Sequence, residues 1–332
     1  MLKSVSRSFA ALAMAVLAFN LSAANYPDLP QTPTSFGAVA LDGWLYVYGG
    51  HLGERHKYSA EEVTGAFHRL KLDGGTNWET LPAGVPAQSP AFAADERFIY
   101  RVGGMAARNR KGETNDLWSH DSAARFDPAT QKWQDLPSLP APRSSHDGWV
   151  VNHQLYVVGG WTLAGKDAQP AWADTTLVLD LQKPGAAWRQ IPQPFKRRGL
   201  AVIGLANSLY CIGGMDDDDS PSLDVSVLDT ETGKWSTGPN LPEGKLKGFG
   251  AAACTINGRL YVSGLSGILW RLNDQQNGWD NAGKLASPRF FHRLVPGPND
   301  AVLALGGEND TTKLPDIEVL HDSAASLISR KP

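Results

Sequence analysis

Short apolar runs that end in paired glycines recur along this chain. LYVYGG closes at Gly50, IYRVGG at Gly104, LYVVGG at Gly160, LYCIGG at Gly214 and VLALGG at Gly307. A sixth run, LYVSGL, keeps only Gly264 and is a degenerate copy. The runs are rich in β-branched and aromatic residues, which suits strands buried on both faces. A second pattern lies between them: a strand ending in Asp, a polar turn and then a tryptophan, as in RFDPATQKW, VLDTETGKW and RLNDQQNGW. Trp78, Trp133, Trp188, Trp235 and Trp279 follow the first five copies, and the short strand after each often ends in Leu-Pro or Ile-Pro. Repeats of this kind, about 43 to 56 residues apart, predict many short strands and tight turns rather than helices.

The double glycine, the strand–Asp–turn element and the spaced tryptophan together resemble the kelch repeat. The resemblance covers roughly residues 26–321 in six concordant copies. It implies an all-β, six-bladed β-propeller, with four antiparallel strands per blade around a central channel. The last copy runs out after GGENDTTKLPDIEVL, without its tryptophan strand. At the other end, YPDLPQTPTSFGAVA reads like WQDLPSLPAPRSSHDGWVV, with Tyr26 in the place of Trp133. An N-terminal strand is therefore expected to complete the last blade and close the ring, which removes an open sheet edge.

Composition then restricts partners and compartment. Charged residues are 20% and the net charge is −3, so no basic surface points to nucleic acid. Lys3 and Arg7 precede an apolar run, Phe9 to Leu21, and small residues follow at Ser22-Ala23-Ala24. This reads as a signal peptide over 1–24, since the run is shorter than the roughly 20 residues of a spanning helix. The expected layout is leader 1–24, propeller 25–322 and tail 323–332, in a protein that is periplasmic or secreted and free of the membrane after cleavage. Cys211 and Cys254 sit in apolar runs. They read either as a disulfide, which an oxidising compartment permits, or as two small buried hydrophobes.

The topology of such a blade brings one set of loops to one face. Strand 2 ends there and strand 1 begins there, so the loops after each glycine pair share it. They are long in blades 1 to 3 (roughly 51–64, 105–121 and 161–174) and nearly absent in blade 5. Binding residues concentrate on such loops. Aligned on the glycines, the position before strand 1 reads Pro33, Ala87, Arg143, Arg197, Lys247, Arg289, with Arg198 adjoining. A ring of converging cations suits a carboxylate, which guanidinium binds through a bidentate fork. Alternatively these cations serve backbone carbonyls of a neighbouring blade. Three residues on, His146 and His292 interrupt an apolar column, as proton-transfer groups or as packed rings. Glu308 directly follows the last glycine pair, as a base in a cationic pocket or as a solvated acid. Asp216 to Asp219 form a polar turn without the alternating spacing of a calcium loop. No metal and no cofactor are expected. The chain has no P-loop and no G-x-S-x-G elbow.

Among kelch proteins the chain is similar to the exported bacterial N-acetylneuraminate epimerase (mutarotase) group, through its leader, its size, its blade count and the Gly-Gly-Glu at Glu308. The resemblance implies a small anionic sugar at the loop-rich face. Arg143, Arg197, Arg198, Lys247 and Arg289 would be ligand-binding, and Glu308, His292 and His146 would move protons. One departure stands out: Met215 follows the blade-4 glycines where an acid is expected. The competing expectation is a non-enzymatic module that holds a protein or polysaccharide. A sugar-acid site needs the cation column facing solvent, whereas a scaffold needs it paired to backbone.

Overall fold

A computed structural model describes residues 26–322; the expected leader and tail lie outside the described residues. The described chain is all β apart from two short 3₁₀ turns. Six antiparallel sheets follow one another in sequence. In blade 1 the strands are Gly37–Leu41, Trp44–His51, Val63–Lys71 and Glu79–Leu81, paired in chain order as a meander. Blades 2 to 5 repeat this order with four strands each.

Each hydrophobic cluster joins two neighbouring blades. Tyr46, Tyr48 and Phe67 of blade 1 pack on Phe92, Ile99 and Phe126 of blade 2. The tryptophans rivet the same interfaces from outside. The indole N–H of Trp133 donates to the Pro82 carbonyl of the preceding blade at 2.9 Å, and Trp188 donates to Pro137 at 2.8 Å. Trp78, Trp235 and Trp279 repeat the bond to Asp28, Pro192 and Pro239. The buried Cys211 and Cys254 are free thiols in two different interfaces, Cys211 between blades 3 and 4 and Cys254 between blades 5 and 6. They pack as small hydrophobes, and burial pushes the Cys211 thiol up to about 12.

The glycine pairs have a steric reason. The second glycine donates its N–H to the carbonyl of the position two residues before the channel rim in the next blade: Gly50 to Ala87, Gly104 to Arg143, Gly160 to Arg197 and Gly214 to Gly248, at 2.8 to 3.3 Å. The first glycine lies against that same carbonyl. A Cβ on Gly103, at φ +57°, would stand 2.4 Å from the Arg143 oxygen. Only glycine allows both this approach and this backbone conformation.

In blade 6 the closing strand expected from the N-terminus lies largely outside the described residues. Among the described residues it has three strands, Arg293–Pro296, Val302–Leu305 and Ile317–Leu320. The N-terminal segment docks on it as extended chain, through a 2.8 Å bond from Leu29 N–H to the Pro315 carbonyl. Leu139 makes the equivalent bond to Asp121 in blade 2, so Leu29 stands in register with Leu139. Tyr26 then falls at Leu136, not at Trp133. Its hydroxyl donates to the Leu72 carbonyl of blade 1 at 3.1 Å, beside Trp78. The position in register with the tryptophans lies before Tyr26, outside the described residues.

Candidate functional site

Six residues in the left-handed backbone region encircle the channel: Ser35, Ser89, Ser145, Gly199, Gly250 and Phe291, at φ 49 to 70°. Five of the six neighbouring pairs are joined by backbone hydrogen bonds of 2.7 to 3.1 Å, including Ser35 N–H to the Phe291 carbonyl across the seam. This rim gives the true alignment of the blades. Counted back two residues, the cation column reads Pro33, Ala87, Arg143, Arg197, Gly248, Arg289. Lys247 is not in it: it is exposed on the 3₁₀ turn Lys245–Gly248, and Gly248 takes its place. In LYVSGL, Gly264 aligns with the first glycine of the other pairs and Leu265 with the second, and counted from Leu265 the column falls on Gly248.

The arginines of the column turn away from the channel. Arg143 donates to the Thr175 carbonyl at 2.8 Å and lies 7% exposed. Arg197 donates to the carbonyls of Gly213 and Asp224 and to the Ser226 hydroxyl, over the face of Phe195. Arg289 is fully buried, bonded to the Ser287 and Gly306 carbonyls and to the carboxylates of Asp316 and Glu318. All three act as caps for the backbone of their own blade, rather than of a neighbouring blade. None lines the cavity at the mouth.

That cavity, of about 510 Å³, opens on the loop-rich face. Arg198, His146, His292 and Glu308 reach it, and the other four expected site residues do not. Both histidines are buried under the rim. The His146 ring lies 3.0 Å from the Val102 carbonyl and the His292 ring 3.4 Å from the Ser263 hydroxyl. Burial, with Arg143 beside one and Arg289 beside the other, lowers each ring to about 3. Neutral rings in such surroundings pack, and they make poor acids at neutral pH. Glu308 is buried to 7% exposure and gripped by Arg55 of blade 1 at 2.8 Å. It is neither a solvated acid nor an unpaired base.

Arg198 is the expected ligand residue that keeps its cation in the cavity. Its guanidinium stacks 4.1 Å from the Trp161 ring and 5.3 Å from Phe249. Its polar contacts are weak: Met215 sulfur at 2.9 Å and the exposed Asp219 carboxylate at 3.5 Å. The aromatic faces hold the fork flat, so its donors are oriented before a ligand arrives. Asp216 caps its own turn, accepting the N–H groups of Asp218 and Ser220. Tyr58 completes the group. Burial raises its pKa, the Gln88 amide lowers it, and the charges of Glu308 and Arg198 both act on it. Tyr58 lines the cavity with all three, and with its pKa raised the phenol stays protonated.

The floor of the cavity was missed in the sequence. Arg293 of blade 6 reaches Asp147 of blade 3 at 3.1 Å and donates to the Phe36 carbonyl of blade 1 at 2.7 Å. Asp147 also accepts the Val202 N–H of blade 4 at 3.2 Å. Four blades thus meet in one strut through Arg293 and Asp147. The signal was available two residues past the rim, where the column reads Gly37, Ala91, Asp147, Ala201, Ala252, Arg293. Two opposite charges stand out in this column of small residues, and the shifted register of blade 5 does not hide them, since it only exchanges Ala252 for Ala251.

Residues 35–264 match the model of the KLHDC2/KLHL20/DRC7 kelch-repeats domain. The chain is similar to kelch-like protein terF of Aspergillus terreus, 24% identical over 71% of this chain and 50% of that protein. It is also similar to kelch repeat and BTB domain-containing protein 12 of Danio rerio, 24% identical over 65% of this chain and 35% of that protein. The chain thus spans half or less of these curated relatives. A solved structure titled "Structure of YjhT" superposes with a TM-score of 0.71 at 18% identity, over 90% of this chain and 97% of that one; this similarity concerns the fold.

Proposed function

Because the chain belongs to the kelch-repeat family, we propose that it is a non-enzymatic binding module that receives a segment of a protein partner in the cavity at its loop-rich mouth. One observation carries this reading: Arg143, Arg197 and Arg289 are paired to backbone, as a scaffold requires. With His146 and His292 neutral and Glu308 held by Arg55, the cavity offers recognition rather than acid–base chemistry. Aromatic walls around one flat cation suit an apolar side chain next to an acidic group. A selection from a displayed peptide library is expected to enrich acidic–apolar sequences on the wild type and to lose them with Arg198→Ala. A selection that enriches nothing, or the same sequences with that variant, removes the reading.

A second reading keeps the small anionic sugar, as a ligand or as the substrate of an epimerase (mutarotase). It is favoured by the single-sugar scale of the cavity, about 510 Å³, and by Arg198 beside Tyr58 and Glu308. Faster anomer equilibration of a sialic-type sugar, followed by NMR, supports it. An unchanged rate with no shift of protein resonances excludes it. Export, with a leader over 1–24 and a periplasmic or secreted location, belongs to the same proposal. A mature protein beginning at Asn25 is the expected mass-spectrometric result, and an intact Met1 terminus refutes export by cleavage.

A further inference from the structure

We infer that Gln88 is a specificity-determining residue of the cavity, its side-chain oxygen kept for an amide N–H of the bound segment. The inference rests on reading the cavity as a binding site, and it narrows the ligand class to apolar anions that carry such a donor.

Gln88 immediately precedes the rim residue Ser89, and its main chain is fixed on both sides. Its N–H donates to the Met105 carbonyl at 2.8 Å and its carbonyl accepts the Met105 N–H at 2.9 Å. The side chain is 7% exposed and lines the cavity, and its buried Oε1 has no hydrogen-bond partner among the described residues. Gln193 shows what a structural glutamine at the same depth does. Also 7% exposed, it accepts the Gly159 N–H at 3.0 Å and the Thr176 hydroxyl at 3.2 Å, and it donates to the Phe195 carbonyl at 2.8 Å. Gln193 is satisfied by its own blade, away from the cavity. The Gln88 Oε1 is not, and its side chain lines the cavity.

Its surroundings define the rest of the ligand. Gln88, Tyr58, Arg198 and Glu308 all line this cavity. A ligand whose anionic group meets Arg198 thus shares the cavity with Gln88, with Trp161 and Phe249 beside the cation to cover an apolar body. A buried acceptor left unpaired discriminates strongly against a ligand that lacks the donor, by about tenfold or more.

Two probes of nearly equal shape isolate this contact. Hippurate carries an aryl group, an amide N–H and a carboxylate; benzoyloxyacetate replaces the N–H by an ester oxygen. Calorimetric titration is expected to show hippurate binding about tenfold more tightly to the wild type. Gln88→Met keeps the volume, removes the acceptor and is expected to bring the ratio close to one. Equal affinity of the two probes for the wild type overturns the inference while leaving the binding site standing, and needs no variant. An unchanged ratio in a folded Gln88→Met protein also overturns it. Failure of both probes to bind the wild type at millimolar concentration removes the reading of the cavity along with the inference.

Discussion

At the scale of the residue, two arginines that adjoin in sequence have opposite fates. Arg197 spends its donors on the carbonyls of Gly213 and Asp224, whereas Arg198 lies flat on Trp161 with its fork in the cavity. Arg289 belongs with the first kind. Arg289→Met is expected to cost about 3 kcal/mol, because it removes the cation that pairs with Asp316 and Glu318 and leaves the Ser287 and Gly306 carbonyls without its donors. Arg198→Met is expected to stay within about 1 kcal/mol of the wild type, since its polar contacts are weak or exposed. Urea denaturation separates the two, and equal losses contradict the assignment.

The buried histidines give a pH dependence of definite sign. Each folded ring titrates at about 3 instead of the ordinary 6.5. The unfolded chain therefore takes up protons that the folded chain refuses, and stability falls as the pH drops from about 6.5 towards 3. His51, lowered to about 4 by burial and Lys313, adds to the loss. Asp147 opposes it, because burial raises its carboxyl and the native charge is relieved at low pH. The melting temperature is expected to fall between pH 7 and pH 4, and His292→Asn to flatten the slope. A slope that His292→Asn leaves unchanged contradicts the burial of a neutral ring.

At the scale of the element, the blade interface is the unit of stability. Trp188, 8% exposed, fills the interface of blades 2 and 3 and bonds to Pro137. Trp188→Ala is expected to cost about 3–5 kcal/mol. Gly103→Ala creates a different fault, placing a Cβ against the Arg143 carbonyl, whereas Gly112→Ala meets nothing within 4 Å although its φ is also positive. Thermal melts of the pair are expected to rank Gly103→Ala well below Gly112→Ala, and a reversed order argues against the glycine–carbonyl contact. The glycine pairs, the tryptophans and the column two before the rim were each legible as separate repeats. Only the fold shows that the glycine and the column are two ends of one hydrogen bond between blades.

At the scale of the whole molecule, the ring is joined at its seam by a buried apolar cluster and by polar contacts over it. The Ser35–Phe291 rim bond, the Leu29–Pro315 bond and the Arg55 contacts to Glu308 and Asn309 connect blade 1 and the N-terminal segment to blade 6. Removing residues 26–30 takes away Leu29 and the Trp78 acceptor and uncovers part of the apolar cluster around Leu303 and Leu305. Hydrogen exchange in Ile317–Leu320 is expected to rise severalfold, with little change in blade 3. Uniform exchange across all blades weighs against a local seam.

The all-β class, the six copies and the loop-rich face were determined by the sequence alone. Strand burial, glycine conformation and indole size are local demands that repeat wherever a blade repeats. Four of the expected site residues, Arg198, His146, His292 and Glu308, also stand where that pattern put them, at the cavity. What each one does there was decided by tertiary structure. A guanidinium before strand 1 can turn into its blade or into the channel with the same sequence around it, and the free carbonyls and aromatic faces within reach choose between them. Lys247 leaves the column on sequence grounds alone, since LYVSGL puts Gly264 at the first glycine and Leu265 at the second. The docking of Tyr26 and the pairing of Arg293 with Asp147 depended on contacts between distant parts of the chain. A partner across the seam or across the channel leaves no mark in any single repeat.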